Sequence, residues 1–94
     1  MINWPSKTDA EFKDYGLNWA PALSKLVGNP TIVASSWSKV NGNAVNSGSI
    51  IQPDNRRTAV KIGAGTPGTT SVFRNQVTLS TGPILTCDAL VRVR

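Results

Sequence analysis

The side chains able to act as acids, bases, nucleophiles or metal ligands are few in this sequence. It contains no histidine and one cysteine, Cys87, and its five carboxylates are Asp9, Glu11, Asp14, Asp54 and Asp88. Ser-His-Asp and Cys-His catalysis need an imidazole, and structural zinc sites need several thiolates or imidazoles. Three of the carboxylates crowd into residues 9–14, where nothing marks an acid–base pair. We therefore expect no enzyme activity, no catalytic residues, no cofactor and no metal site.

Two other features invite a chemical interpretation and have simpler structural ones. Residues 63–68 are rich in glycine, but the lysine of a phosphate-binding loop is missing and the segment leads into a predicted strand. A hairpin loop is the favoured interpretation. Cys87 falls on the inward face of the last predicted strand, and no histidine is present to activate it. We expect a buried structural thiol there.

The basic residues are unevenly distributed. Residues 1–30 are charge-balanced, so the whole net charge of +5 comes from residues 31–94. The arginines at positions 56, 57, 74, 92 and 94 could face acidic protein neighbours or nucleic acid. A nucleic-acid groove also needs aromatic platforms, and nearby only Phe73 is available, on a predicted inward face. Nucleic acid is therefore the less favoured partner. No apolar run approaches the roughly 18 residues that span a bilayer, so no membrane association is expected.

Residues 1–16 are predicted to be an N-terminal leader with a short helical turn. Thr8 and Glu11 have the spacing of a capping box, which predicts a helix over residues 9–15 that ends at Gly16. Trp4 either folds back on the domain or anchors a partner, and both interpretations stay open. Residues 21–27 fit a short helix or a strand edge.

Residues 17–94 carry the pattern of a β-sandwich. Residues 31–37 are rich in β-branched side chains, and Asn41 and Gly42 predict a turn. Residues 58–62, 71–79 and 85–93 alternate between apolar and polar side chains, which places Phe73, Asn75 and Val77 on an inward face. The spacing of strands and turns predicts an all-β protein with a single immunoglobulin-like antiparallel β-sandwich. Trp19 and Trp37 are expected in its core.

The ordered motifs resemble a family of small structural proteins of tailed bacteriophages, the fiber-tail adaptor proteins. The resemblance rests on Trp4-Pro5, on residues 7–19, on the strand ending at Trp37, on the loop 63–70 with the following residues 72–78, and on the C-terminal residues 91–94. This chain departs from the family pattern at Asn18, at Ala20, at residues 61–63 and at Arg74.

The resemblance implies a non-enzymatic virion protein of the tail or neck, made in the bacterial cytoplasm and repeated in a symmetric ring. Its expected partners are other tail, neck and fiber proteins. The alternatives are a carbohydrate- or nucleic-acid-binding sandwich and a capsid decoration protein. The predicted interface residues are Trp4, Phe12, Tyr15, Arg56, Arg57, Arg92 and Arg94. The leader is expected either to dock on a neighbouring subunit or to cover its own sandwich.

Overall fold

A computed structural model describes residues 2–53 and 55–94 of the chain. Met1 of the predicted leader and Asp54 lie outside the described residues. The described residues form β1 (Ile2–Asn3), β2 (Lys13–Asn18), α1 (Ala20–Leu23), β3 (Ile32–Asn41), β4 (Ala44–Ile51), β5 (Arg57–Ala64), β6 (Thr70–Leu79) and β7 (Ile84–Arg92). The predicted all-β class is confirmed.

The strands lie in two sheets that face each other across the core. One sheet has the order β1-β7-β6-β3 and the other β2-β5-β4. All neighbouring strands are antiparallel except β1, which runs parallel to β7. The predicted sandwich is therefore confirmed. With β1 set aside, three strands face three in the connection order that immunoglobulin domains use. Membership of the immunoglobulin class itself stays a prediction.

Alternate side chains of the central strands build the core. Thr58, Val60 and Ile62 of β5 are buried, as predicted, and so are the inward residues 73, 75, 77 and 79 of β6. In β7, Ala89 and Val91 are buried, whereas the earlier inward positions 85 and 87 are half-buried. The alternation in the sequence thus correctly predicted which side chains of these strands point toward the core.

The helix predicted over residues 9–15 is wrong. The amide of Thr8 donates to Oε1 of Glu11 at 2.7 Å, and the amide of Glu11 donates to the Thr8 carbonyl at 3.2 Å, so one turn forms. Lys13–Asn18 then pairs with β5 over six residues. Pairing satisfies the backbone of this segment and buries Tyr15 and Leu17 on one face, which a two-turn helix could not do alone.

A short helix does form in the segment that the sequence left undecided, residues 21–27. It covers Ala20–Leu23 with Pro21 in its first turn, and Leu23 packs into the core. Proline suits a first helical turn because the amide it lacks would have no intrahelical partner there. The helix therefore closes one end of the sandwich.

Tryptophans occupy the core in a different pattern from the one expected. Trp19 is buried, as predicted, but Trp37 is half-buried and packs against the core from its border. The place of a central tryptophan is taken by Trp4, whose ring lies 5.7 Å from that of Trp37. The leader thus supplies part of the core of this chain.

Candidate interaction surface at one end of the sandwich

The seven predicted interface residues fall into three separate places. Two lie in the core, two at the end of the sandwich where β5 begins, and three at the end where β5 finishes. Trp4 and Tyr15 are the two in the core. Arg56 and Arg57 lie where β5 begins, and Phe12, Arg92 and Arg94 lie where it finishes. The structure therefore does not bring them together as one surface.

Trp4 and Tyr15 are a stacked pair inside the sandwich. Their ring centroids are 4.8 Å apart with an interplanar angle of 16°, and they are 9% and 6% exposed. The indole Nε1 of Trp4 donates to the Gly16 carbonyl at 3.2 Å, and the Tyr15 hydroxyl donates to the Pro5 carbonyl at 2.8 Å. Burial raises the pKa of the Tyr15 hydroxyl above its usual value. The indole N–H of Trp4 and the hydroxyl of Tyr15 therefore both have hydrogen-bond partners within the chain.

Arg56 and Arg57 lie at the opposite end from the other basic candidates. Arg56 donates from Nη2 to Oδ1 of Asn29 at 2.6 Å, and Arg57 stands opposite Asn18 in the ladder between β2 and β5. Strand β5 then runs for eight residues to Ala64, which separates its two ends by roughly 23 Å. The two arginines therefore cannot share a contact with the group around Arg94.

Lys7 holds together the end of the sandwich where β5 finishes. It is fully buried, and its ammonium donates to the carbonyls of Thr8 and Ala64, both at 2.6 Å. Its amide donates to the Arg92 carbonyl at 3.0 Å, and its carbonyl accepts from the Arg94 amide at 2.7 Å. Sequence reasoning missed this role because lysine is almost never fully buried.

Phe12 lies on the outer face of the sheet at the same end. Its side chain is 64% exposed, and its ring rests on Gly63 of β5. Any Cβ at position 63 would clash with this ring, so the contact depends on glycine. Gly63 thus lets an aromatic ring lie close to the sheet while one side of it faces solvent.

Charged side chains lie near Phe12 in sequence or at the same end of the sandwich. Glu11 lies 3.6 Å from Nζ of Lys13 and 3.9 Å from Nη2 of Arg94, and these three side chains are between 37% and 59% exposed. Arg92 is exposed at the same end of the sandwich, on strand β7 of the other sheet, two residues from Arg94. We call Phe12, Glu11, Lys13, Arg92 and Arg94 the terminal surface. It combines a solvent-exposed aromatic ring with a net positive charge.

The carboxylate of the terminal surface is held in its charged form. Hydrogen bonding to Thr8 lowers the pKa of Glu11 below its ordinary value of 4.5, and Lys13 and Arg94 add to this effect. A lowered pKa in the folded state contributes stability that is present above the unfolded pKa and is lost as the pH falls through the folded pKa.

Glu11→Gln tests this linkage while keeping an oxygen that accepts from Thr8. We expect wild type to be more stable than the variant at pH 7, and the difference to shrink as the pH falls below about 4.5. Urea denaturation at a series of pH values, followed by tryptophan fluorescence, measures it. A difference in the free energy of unfolding that stays constant down to the acid limit would contradict the assignment.

Arg74, Asp88 and Cys87 lie in β6 and β7, outside the terminal surface. Arg74 donates to both oxygens of Asp88, at 2.8 and 3.1 Å, and this hydrogen bonding lowers the pKa of Asp88. Cys87 is half-buried, and burial raises the pKa of its thiol. Among residues 2–53 and 55–94 there is no group of three His, Cys, Asp or Glu residues placed to hold a metal ion. No helix in those ranges is long and apolar enough to cross a membrane.

Comparison with known protein families identifies the relatives of this chain. A family model described as podophage GP4 fiber-tail adaptor protein gp77 matches residues 7–92, nearly the whole chain. The chain belongs to this fiber-tail adaptor family. The match spans β2 to β7 and runs from Lys7 to Arg92, two residues that hydrogen-bond to each other. No curated protein matches the chain.

Membership confirms the resemblance found in the sequence. A podophage fiber-tail adaptor is a structural protein of the phage tail, and its name describes a connection between tail and fiber proteins. Among the described residues, the terminal surface is where an exposed aromatic ring and a surplus of positive charge lie at the same end of the sandwich.

Proposed function

We propose that this adaptor is a non-enzymatic virion protein that attaches fibers or other tail components in the tail or neck of a tailed phage. It is made in the host cytoplasm and stands in several copies around a symmetric ring. The observation that carries the proposal is the family match over residues 7–92. The scarcity of acid, base and nucleophile side chains supports a non-enzymatic role.

The terminal surface is the proposed contact with a neighbouring virion protein. Aromatic and arginine side chains are enriched at the energetic centres of protein interfaces, and both occur there. Phe12 is pre-positioned by its contact with Gly63, which reduces the entropy it loses on binding. The surplus of positive charge from Lys13, Arg92 and Arg94 favours an acidic partner surface with an apolar recess for the ring.

The distribution of charge favours a protein over nucleic acid as the partner. Arg56 and Arg57 lie at one end of the sandwich and Arg92 and Arg94 at the other, while Arg74 is paired with Asp88. A nucleic-acid groove needs a continuous row of cations along the backbone, with aromatic platforms between them. The arginines at the two ends of the sandwich are too far apart to form such a row with each other.

Complementation of a phage that lacks this gene tests both parts of the proposal. We expect particles without the protein to lack fibers, and wild-type protein to restore both the adaptor and the fibers, as counted by mass spectrometry of purified particles. Phe12→Ser is expected to lower the incorporated adaptor or fiber content about tenfold, the effect of losing one interface anchor.

Val27→Ser is the matched control, because Val27 is 97% exposed at the opposite end of the sandwich. It should incorporate like wild type. Normal incorporation of Phe12→Ser would contradict the proposed role of the terminal surface without contradicting the adaptor function. Absence of the wild-type protein from complete particles would overturn the adaptor function itself.

A further inference from the structure

Lys7 is the charged side chain that the described part of this chain buries completely. Its ammonium donates to two backbone carbonyls, those of Thr8 and Ala64, both at 2.6 Å. No ion pair among residues 2–53 and 55–94 includes Lys7. Removing an ammonium from water is costly, so a buried charge is weak evidence for a contribution to stability. A specific arrangement of the chain is the better-attested benefit of such a group.

The first of the two carbonyls belongs to the turn that precedes Phe12. The Thr8 carbonyl also accepts from the amide of Glu11 at 3.2 Å, and the Thr8 amide donates to Oε1 of Glu11 at 2.7 Å. The ammonium of Lys7 therefore contacts the same oxygen that closes the turn. Since Phe12 directly follows Glu11, holding this oxygen fixes where the chain places the backbone of Phe12.

The second carbonyl belongs to Ala64, the last residue of β5 and the neighbour of Gly63. Ala64 has a φ of 56°, in the left-handed region that residues with a Cβ rarely adopt. Such a conformation persists only where its surroundings hold it. The hydrogen bond from Lys7 contributes to this from a position 57 residues away in sequence. Because Phe12 rests on Gly63, the ammonium joins the two chain segments that meet at this contact.

The backbone of Lys7 reaches the third segment of the terminal surface, residues 92–94. Its amide donates to the Arg92 carbonyl at 3.0 Å, and its carbonyl accepts from the Arg94 amide at 2.7 Å. Lys7 also forms a parallel bridge with Val93, which lies between the two arginines. One buried residue thus connects the turn before Phe12, the end of β5 and the segment that carries both arginines.

We propose that Lys7 is a positioning residue for the attachment of the partner protein, because its buried ammonium fixes the place of the Phe12 ring relative to Arg94. This inference rests on the proposed attachment through the terminal surface. Ordering the ring before contact lowers the entropy lost on binding, so a loosened surface binds its partner more weakly. Lys7 is itself fully buried, so it acts through the surface and offers the partner no contact of its own.

Lys7→Met tests the proposal, because methionine is unbranched and apolar and cannot donate to the two carbonyls. In purified full-length protein, we expect the amide of Glu11 to exchange its hydrogen at least about tenfold faster than in wild type, because the turn is no longer held. The amide of Leu23, which donates to the Trp19 carbonyl at the opposite end of the sandwich, should change less than about threefold.

Leu23→Ala is the matched control, because it removes buried contacts at the opposite end and leaves the terminal surface unchanged. It should lower the denaturation midpoint more than Lys7→Met does, since Lys7→Met also removes the cost of burying an ammonium. Exchange of the Glu11 amide should stay as in wild type. In the complementation assay, at a temperature where both variants are folded, Lys7→Met should lower the incorporated adaptor or fiber content about tenfold. Leu23→Ala should incorporate like wild type.

Unchanged exchange of the Glu11 amide in Lys7→Met, or normal incorporation of this variant, would overturn the positioning role. So would loss of the whole fold in Lys7→Met, or an equal loss of incorporation in Leu23→Ala, because Lys7 would then act through stability alone. Phe12→Ser separates this inference from the proposed function. Normal incorporation of Phe12→Ser contradicts attachment through the terminal surface, whereas reduced incorporation of Phe12→Ser with normal incorporation of Lys7→Met contradicts the role of Lys7 alone.

Discussion

Replacing Asn75 with alanine is expected to lower the free energy of unfolding by about 3–5 kcal/mol. The side chain is fully buried in β6 and links both sheets. Its Oδ1 accepts from the Trp19 indole at 3.1 Å and from the Thr58 hydroxyl at 2.7 Å. Its Nδ2 donates to the Ser35 hydroxyl and to the Ser36 carbonyl, both at 2.9 Å. Alanine would leave these buried groups short of partners and open a cavity.

Guanidinium denaturation followed by tryptophan fluorescence measures this loss. Gln76→Ala is the matched control, because Gln76 is the next residue of β6 and is exposed on the outer face. It should change the free energy of unfolding by less than about 0.5 kcal/mol. If Asn75→Ala cost no more than Gln76→Ala, the hydrogen-bonded network across the core would not contribute to stability.

Trp4→Ala is expected to cost a similar amount, about 3–5 kcal/mol, because a large buried ring is lost and a cavity remains. The ring stacks on Tyr15, lies near Trp37 and donates its indole N–H to the Gly16 carbonyl. The expected readout is a clearly lower denaturation midpoint of the isolated monomer. The total stability of a native domain is about 5–15 kcal/mol, so this loss would remove a large part of it.

Phe12→Ala is the comparison within the same leader, since Phe12 is 64% exposed. We expect it to lower the free energy of unfolding by less than about 1 kcal/mol. Together the two variants separate the hypotheses for the leader. A large effect of Trp4→Ala on the monomer means that the leader covers its own sandwich. A negligible effect would mean that Trp4 is held by a neighbouring subunit, contrary to its placement here.

The strands of the body were predictable because their signal is local. Thr58, Val60 and Ile62 alternate with polar or small residues, and a period of two places them on one face whatever the rest of the chain does. Cross-sheet hydrogen bonding of Asn75 was not predictable, although its inward position was. Its partners, Trp19, Ser35 and Thr58, lie between 17 and 56 residues away in sequence.

The leader shows where local signals were overridden. Thr8 and Glu11 form the turn that their spacing predicts, yet the helix does not continue. Tyr15, Leu17 and Trp19 alternate as in a strand, and that signal could have identified β2. The capping box favoured a helix locally, but the ladder with β5 and the buried side chains outweighed it.

The sequence by itself determined the sandwich, the absence of histidine and the family resemblance, because alternation, composition and short motifs can be read without the tertiary structure. Only the tertiary structure decided that Trp4 and Lys7 are buried and that Phe12 lies on Gly63. Strand β1 has two residues and pairs with β7 near the other end of the chain, with Ile2 opposite Ala89. No local propensity encodes such a pairing. Its stability comes from contacts that exist only after the two sheets have formed.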